Sequence, residues 1–171
     1  LKPISLVKRG LAEEQSRLTY AIGRLVLWSS GGSASTAHLE DRKLSKLALA
    51  NPRHAPYGQA AFDVLEHLQL DVRLKNKLVF GENITQAYQF VASGNAQMGF
   101  VALSQVYAKE ATVKPHYWLV PEQMHRTIRQ EAVIISKRRT PALEAFMRYI
   151  QRDEAKALIR SYGYRTEEVR Q

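Results

Sequence analysis

The sequence contains no cysteine, and this absence excludes several kinds of chemistry. A thiolate nucleophile, a zinc site with cysteine ligands and a disulfide framework all need a residue that this chain lacks. Long apolar runs are missing too, because a stretch such as Leu25–Trp28 is far shorter than the roughly 18 residues of a membrane span. The sequence therefore predicts a protein that neither crosses a bilayer nor uses thiol chemistry.

Signatures of catalytic, metal and nucleotide sites are missing as well. The histidines form no i, i+4 pair and have no acidic partner at ligand spacing, so we interpret them as surface groups rather than a zinc site. They are His38, His54, His67, His116 and His125. The stretch from Ser29 to Ser35 matches neither glycine motif of nucleotide-binding proteins and predicts a surface loop, and Ser104 lacks the surroundings of an activated nucleophile. We therefore expect no enzyme activity, no cofactor and no bound metal ion.

Positive charge, by contrast, is abundant. Lys and Arg number 25 against 16 Asp and Glu, which gives a net charge of +9 over 171 residues. A basic patch for nucleic acid is one interpretation. Its candidates are Arg42, Lys43, Lys46, Lys137, Arg138, Arg139, Arg148, Arg152, Lys156 and Arg160. The last four lie at i, i+4 steps on helices whose opposite face is apolar, which is typical of a solvated face. We favour solvated faces that also attract anions, and we expect no nucleic-acid partner.

Short apolar runs alternate with segments of helical period along most of the chain. The predicted strands are residues 20–28, 46–51, 77–81, 97–103, 116–121 and 129–136. One amphipathic helix over 58–70 and another from Ile84 follow strands directly. This order predicts an α/β fold with a central, mostly parallel sheet flanked by helices.

Local start and stop signals support the predicted helices. Asn83, with a glutamine three residues later, predicts a capping box that places the first free helix N–H groups around Ile84 and Thr85. Thr140 followed by proline predicts another helix start, and Asp153 is predicted to cap the last helix. Gly163 is placed to end that helix.

Two strand-to-helix junctions are candidates for a binding site. The segment NPRHAPYG, residues 51–58, and the segment GENI, residues 81–84, each connect a predicted strand to a helix. Helix starts present unpaired backbone N–H groups and the positive end of the helix dipole, and ligands of such sheets bind beyond the carboxyl ends of the strands. The sequence therefore predicts an anion at these junctions.

Longer stretches around the junctions resemble a known family. They are YAIGRLVLWS, ALANPRHAPYGQAAFDVLEHL, KLVFGENITQAYQFVASGNAQMGFVALSQV and EAFMRYIQRDEAKALIRSYGY. In order and spacing they are similar to the periplasmic molybdate-binding proteins of molybdate ABC transporters. The resemblance implies a type II periplasmic binding protein, whose two α/β lobes close on a tetrahedral oxyanion. It further implies a periplasmic or otherwise extracytoplasmic location, molybdate or tungstate as ligand and ABC permease subunits as partners.

The resemblance also implies site residues. Members of the family hold the dianion with neutral donors from both lobes. The APYG motif places Tyr57 as one donor, through its backbone or hydroxyl, and the ENITQA motif places the backbone N–H of Ile84 as another. Ala102 stands where some members carry a further tyrosine, and the hydroxyl donors of the first lobe have no counterpart in this sequence.

The resemblance suggests how the chain is divided. Residues 1–26 correspond to a remnant of the first lobe with the crossover, 27–121 to the second lobe, and 122–171 to the hinge return strand with the C-terminal helices of the first lobe. We therefore expect a piece that lacks the N-terminal portion of a longer protein. Such a piece should bind its anion weakly and can associate with another chain through unpaired strand edges.

Two alternatives to molybdate capture stay open at this stage. One is another oxyanion, such as sulfate or phosphate. Phosphate is disfavoured, because its protonated form would want a carboxylate acceptor and Glu82 is the only acid near either junction. The ligand-sensing domain of a transcription regulator shares the fold, but it would need a helix-turn-helix, and none precedes Thr19.

Overall fold

The computed structural model describes residues 2–107 and 117–167, which form two compact units. The sheet unit runs from Arg24 to Ile128, and the terminal unit comprises the described residues up to Gly23 and from Arg129 onwards. The lobe boundaries predicted from the sequence, after residues 26 and 121, stay a prediction. His116 lies outside the described residues.

The strands and helices follow the predicted alternation. The strands are β1 (Leu18–Gly23), β2 (Leu25–Trp28), β3 (Leu47–Ala50), β4 (Leu78–Gly81), β5 (Met98–Ala102), β6 (Tyr117–Leu119) and β7 (Ile128–Ala132). The helices are α1 (Lys2–Lys8), α2 (Thr36–Glu40), α3 (Pro56–His67), α4 (Asp71–Leu74), α5 (Ile84–Ala92), α6 (Leu103–Val106), α7 (Pro141–Tyr149) and α8 (Asp153–Ser161). Single turns of 3-10 helix cover Glu14–Ser16, Lys75–Lys77 and Glu122–Met124. Within these described parts of the chain, no helix is long and apolar enough to cross a membrane.

The sheet unit is built on five strands in the order β4-β3-β5-β2-β6. Strand β3 pairs in parallel with β4 and β5, whereas β2 pairs antiparallel with both β5 and β6. Four of the five strands therefore run in one direction and β2 runs against them. The prediction of an α/β fold with a mostly parallel sheet is confirmed.

The segment predicted as a single strand over 20–28 is two strands in the structure. Strand β1 ends at Gly23 and belongs to the terminal unit, and β2 starts at Leu25 and lies inside the five-stranded sheet. An uninterrupted run of strand-forming residues does not show from sequence where the chain leaves one sheet and enters another. The single strand predicted over 20–28 is therefore wrong.

The central strands are buried on both faces. Every residue of β2, β3 and β5 is buried, which explains their continuous apolar runs. On one face, alternate residues such as Leu27, Leu49 and Phe100 pack with the inner side of α3. On the other face, Trp28 and Val101 pack with Val91 of α5. The two helices therefore cover opposite faces of one sheet.

The terminal unit contains β1, β7 from its second residue onwards, and the helices α7 and α8, and the two strands form a two-stranded sheet. The Thr140 hydroxyl accepts a hydrogen bond from the Leu143 N–H at 3.2 Å, so its predicted capping role is confirmed. Asp153 is the first residue of α8 rather than its cap, because Arg152 holds the capping position, so that prediction is wrong. Gly163 follows α8 with φ of +81°, as expected of a residue that ends a helix.

An ion pair joins α3 to the segment that precedes β7. The Arg126 guanidinium donates to both carboxylate oxygens of Asp63 at 2.7 Å, and the Arg126 backbone N–H donates at 2.9 Å. Burial raises the pKa of Asp63, but the hydrogen bonds and the charge of Arg126 outweigh burial. The pKa of Asp63 therefore lies below its ordinary value.

We expect Asp63→Asn to lower the free energy of unfolding near pH 7 by about 1 kcal/mol. Because the folded-state pKa is below the unfolded-state value, this stabilisation is fully present above about pH 5 and is lost as the pH falls below about 4. Urea denaturation of both proteins across this range measures the difference. Arg126→Ala should remove the same pH-dependent component, and a difference that stays constant with pH would contradict the prediction.

Candidate anion-binding site

The two junctions predicted to bind an anion lie side by side at the carboxyl ends of two neighbouring strands. Strands β3 and β4 are parallel neighbours, and α3 and α5 begin just beyond their carboxyl ends. The backbone N–H of Asn51 donates to the carbonyl of Gly81 at 2.7 Å and so links the two junctions directly. The helices that follow these neighbouring strands cover opposite faces of the sheet, which is the arrangement in which open α/β sheets bind ligands beyond the carboxyl ends of their strands.

The start of α5 is organised by Asn83. Its side chain accepts a hydrogen bond from the Gln86 N–H at 3.0 Å, and its carbonyl accepts one from the Ala87 N–H at 3.2 Å. Within the described part of the chain, the N–H groups of Ile84 and Thr85 have no acceptor. Two adjacent donors are thus available at the helix start.

The capping box predicted at this helix forms only in part. Asn83 accepts from the third helical residue as expected, but the Gln86 side chain accepts from the N–H of Glu82 at 2.6 Å instead of from Asn83. The glutamine therefore reaches one residue further back and orders the segment between β4 and α5.

The side chain and the main chain of Ile84 serve different purposes. The side chain is half-buried and packs against the hydrophobic cluster that also contains Tyr57 and the inner face of α3. The N–H belongs to the first residue of α5. A structural role for the side chain and a binding role for the main chain are therefore compatible.

The start of α3 lies two residues before the predicted helix boundary, because Pro56 occupies the first helical position. Asn51 shapes the preceding turn: its side chain accepts from the Arg53 N–H at 3.0 Å, and its carbonyl accepts from the His54 and Ala55 N–H groups at 3.1 and 3.0 Å. Ala55 caps the helix without a side-chain hydrogen bond. The first turn of α3 therefore begins just beyond the carboxyl end of β3.

Tyr57 is the second residue of α3 and is 7% exposed. Its ring is part of the hydrophobic cluster under α3, and its hydroxyl oxygen is buried. Its backbone N–H belongs to the first helical turn, where N–H groups point out of the helix. The structure places Tyr57 and Ile84 at neighbouring helix starts and in one cluster, and their role in binding an anion stays a prediction.

One residue near the site, Gln105, was not predicted from the sequence. The Gln105 side chain accepts a hydrogen bond from the Ala102 N–H at 3.0 Å and donates to the Ile84 carbonyl at 3.3 Å. Ala102 is 2% exposed, and its N–H donates to Gln105. In this chain the position therefore has a structural role. A glutamine three residues after the end of β5 is half of a capping-box pattern and was the available signal. The free N–H of Thr85, by contrast, was already implied by the capping signal at Asn83.

The charged and titratable side chains within the two junctions are exposed. Arg53, His54 and Glu82 are exposed, and none of them forms an ion pair with another described residue. The described residues also contain no cluster of His, Asp and Glu that could hold a metal ion. The N–H groups of Ile84 and Thr85, which lack an acceptor among the described residues, are neutral donors in a protein of net positive charge.

Comparison with known proteins identifies the family. The family model of bacterial extracellular solute-binding proteins matches residues 2–165. The chain belongs to this family. Its sequence is 45% identical over 166 residues to the molybdate-binding protein ModA of Azotobacter vinelandii, with 95% of this chain and 66% of the relative covered. It is 40% identical to the protein of the same name from Rhodobacter capsulatus, with 97% and 66% covered.

A solved structure gives the same result. The periplasmic molybdate-binding protein of Azotobacter vinelandii superposes with a TM-score of 0.88 at 36% identity, and the match covers 97% of this chain and 74% of that protein. The resemblance predicted from the sequence motifs is confirmed, and so is the type II binding-protein fold. The chain spans about two thirds of the length of the two curated relatives.

Proposed function

We propose that this chain captures a tetrahedral dianion, molybdate or tungstate, at the carboxyl ends of β3 and β4. The observation that supports the proposal is the pair of neighbouring helix starts. The N–H groups of Ile84 and Thr85 lack acceptors among the described residues, and the first turn of α3 lies beside them. Each helix start adds the positive end of its dipole.

The donor set favours a fully deprotonated oxyanion. Backbone N–H groups donate and cannot accept, so each oxygen of the ligand has to offer a lone pair. A singly protonated phosphate would bring an O–H that needs an acceptor, and Glu82, the acid closest in sequence to the helix starts, is exposed. Molybdate, tungstate and sulfate all meet this requirement, and relatives that carry the name molybdate-binding protein support molybdate over sulfate.

The biological role follows from the ligand and the family. We infer that the protein works outside the cytoplasm, in the periplasm where the cell has one, and delivers the anion to the permease of an ABC transporter without changing it chemically. Membership of the extracellular solute-binding proteins supports this role. The net charge of +9 contributes by raising the local concentration of dianions around the protein.

Isothermal titration of the 171-residue chain with four oxyanions tests the proposal. We expect molybdate and tungstate to bind with similar affinity, and sulfate and phosphate to bind at least about tenfold more weakly, a difference of about 1.4 kcal/mol. The Azotobacter vinelandii relative, titrated in parallel, is the positive control. Absence of binding by this chain, or a preference for sulfate or phosphate, would contradict the proposal.

A further inference from the structure

Gln105 connects the end of β5 to the start of α5, close to where the anion is proposed to bind. It lies in α6, directly after β5, and its side chain is partly buried. Oε1 accepts from the N–H of Ala102 at the end of β5, and Nε2 donates to the carbonyl of Ile84 in the first turn of α5. One side chain therefore holds the end of a central strand and the beginning of the helix.

The carbonyl that Gln105 holds is part of the binding geometry. The carbonyl of Ile84 and the N–H of Thr85 belong to the same planar peptide unit and point in opposite directions. A hydrogen bond that fixes the carbonyl therefore fixes the direction of the Thr85 N–H as well. That N–H, like the N–H of Ile84, has no acceptor among the described residues.

We propose that Gln105 is a positioning residue of the anion site and that the Thr85 N–H is a second donor of α5 to the same anion. The proposal rests on the proposed function. Gln105 keeps the peptide between Ile84 and Thr85 in the orientation that directs the Thr85 N–H at the ligand, next to the Ile84 N–H of the preceding peptide. The anion then meets a preorganised pair of donors.

The other end of β5 provides a matched control. Gln97 precedes β5, and its Oε1 accepts from the Ser45 N–H at 2.7 Å, the Ser45 hydroxyl at 2.9 Å and the Lys46 N–H at 3.1 Å. Its Nε2 donates to the Lys43 carbonyl at 3.1 Å. Gln97 therefore bridges backbone groups as Gln105 does, but it lies before the first residue of β5, whereas Gln105 lies after the last.

Gln105→Glu separates positioning from general stability. The carboxylate keeps the length and the acceptor for Ala102, but it lacks the donor to Ile84 and adds negative charge near the helix start. We expect the affinity for molybdate to fall by about ten- to hundredfold at pH 8. Gln97→Glu should stay within about twofold of wild type at the same pH, because its charge lies at the opposite end of β5.

Titration of the full chain and both variants with molybdate, with urea denaturation of each, decides the matter. If wild type and Gln105→Glu bind molybdate with equal affinity at pH 8, the role proposed for Gln105 is wrong and the proposed function stands. If both variants lose the same affinity for molybdate, the loss reflects general stability, and the role proposed for Gln105 is wrong. Wild type that binds no oxyanion overturns both proposals.

Hydrogen exchange tests the second donor directly. Molybdate should slow the exchange of the Ile84 and Thr85 amides in wild type by about tenfold or more, because each N–H becomes engaged. In Gln105→Glu the slowing at Thr85 should be largely lost. An unchanged exchange rate at Thr85 in molybdate-bound wild type overturns its role as a donor.

Discussion

Ile84→Pro is expected to weaken molybdate binding at least about tenfold while the chain stays folded. Proline removes the N–H that is proposed to meet the anion, and this N–H serves no other described acceptor. The helix itself tolerates proline at its first position, as Pro56 in α3 and Pro141 in α7 already show. Asn83 has φ of −149° and ψ of 175°, the extended conformation that a residue before proline prefers.

Ile84→Val is the matched control for this experiment. It keeps the N–H and most of the side chain, so affinity should change by less than about twofold while stability falls by about 0.5–1.5 kcal/mol. Molybdate titration measures the affinities, and circular dichroism establishes that both variants are folded. A folded proline variant that binds like wild type would show that the anion does not contact this N–H.

Gly58→Ala is expected to lower the free energy of unfolding by about 3 kcal/mol and to weaken molybdate binding as well. A Cβ at this position would lie 2.2 Å from the carbonyl oxygen of Ala50 and 2.9 Å from the carbonyl carbon of Asn51. Both are backbone atoms, so no rotamer change relieves the overlap and α3 has to move away from β3. The gain in helix propensity, up to about 1 kcal/mol for alanine over glycine, is smaller than this strain.

Gly32→Ala provides the comparison, because a Cβ there meets no atom within 4 Å. Its unfolding free energy should stay within about 0.5 kcal/mol of wild type. Urea denaturation of the three proteins, followed by molybdate titration of the folded fraction, gives both effects. A midpoint for Gly58→Ala equal to that of wild type would mean that α3 does not need its close approach to β3.

Close backbone packing at both junctions has a common consequence for the site. Gly58 lets α3 approach the end of β3, and a Cβ at Gly81 would lie 2.7 Å from the Ala87 nitrogen in the first turn of α5. Small residues thus allow both helix starts to approach the neighbouring strand ends. Because the proposed donors are main-chain groups, their geometry depends on such contacts more than on the identity of Ile84.

Local features of this protein were readable from the sequence because they depend on residues close together in the chain. The apolar runs of β2, β3 and β5, the caps at Asn83 and Thr140 and the helix end at Gly163 each need only a few neighbouring residues. The two strand-to-helix junctions and the resemblance that surrounds them follow from the same local patterns. They were sufficient to indicate the fold class and to place a candidate anion site at two helix starts.

Contacts between distant segments required the folded chain. Strand β2 runs against its neighbours between β5 and β6, and the predicted strand over 20–28 is divided between two units. The hydrogen bond from Gln105 to Ile84 joins residues 21 positions apart. Propensity and capping act over a few residues, whereas strand order and side-chain bridges depend on which surfaces bury each other after the chain has folded. For that reason the donors at the helix starts could be proposed from sequence, and the residue that orients them could not.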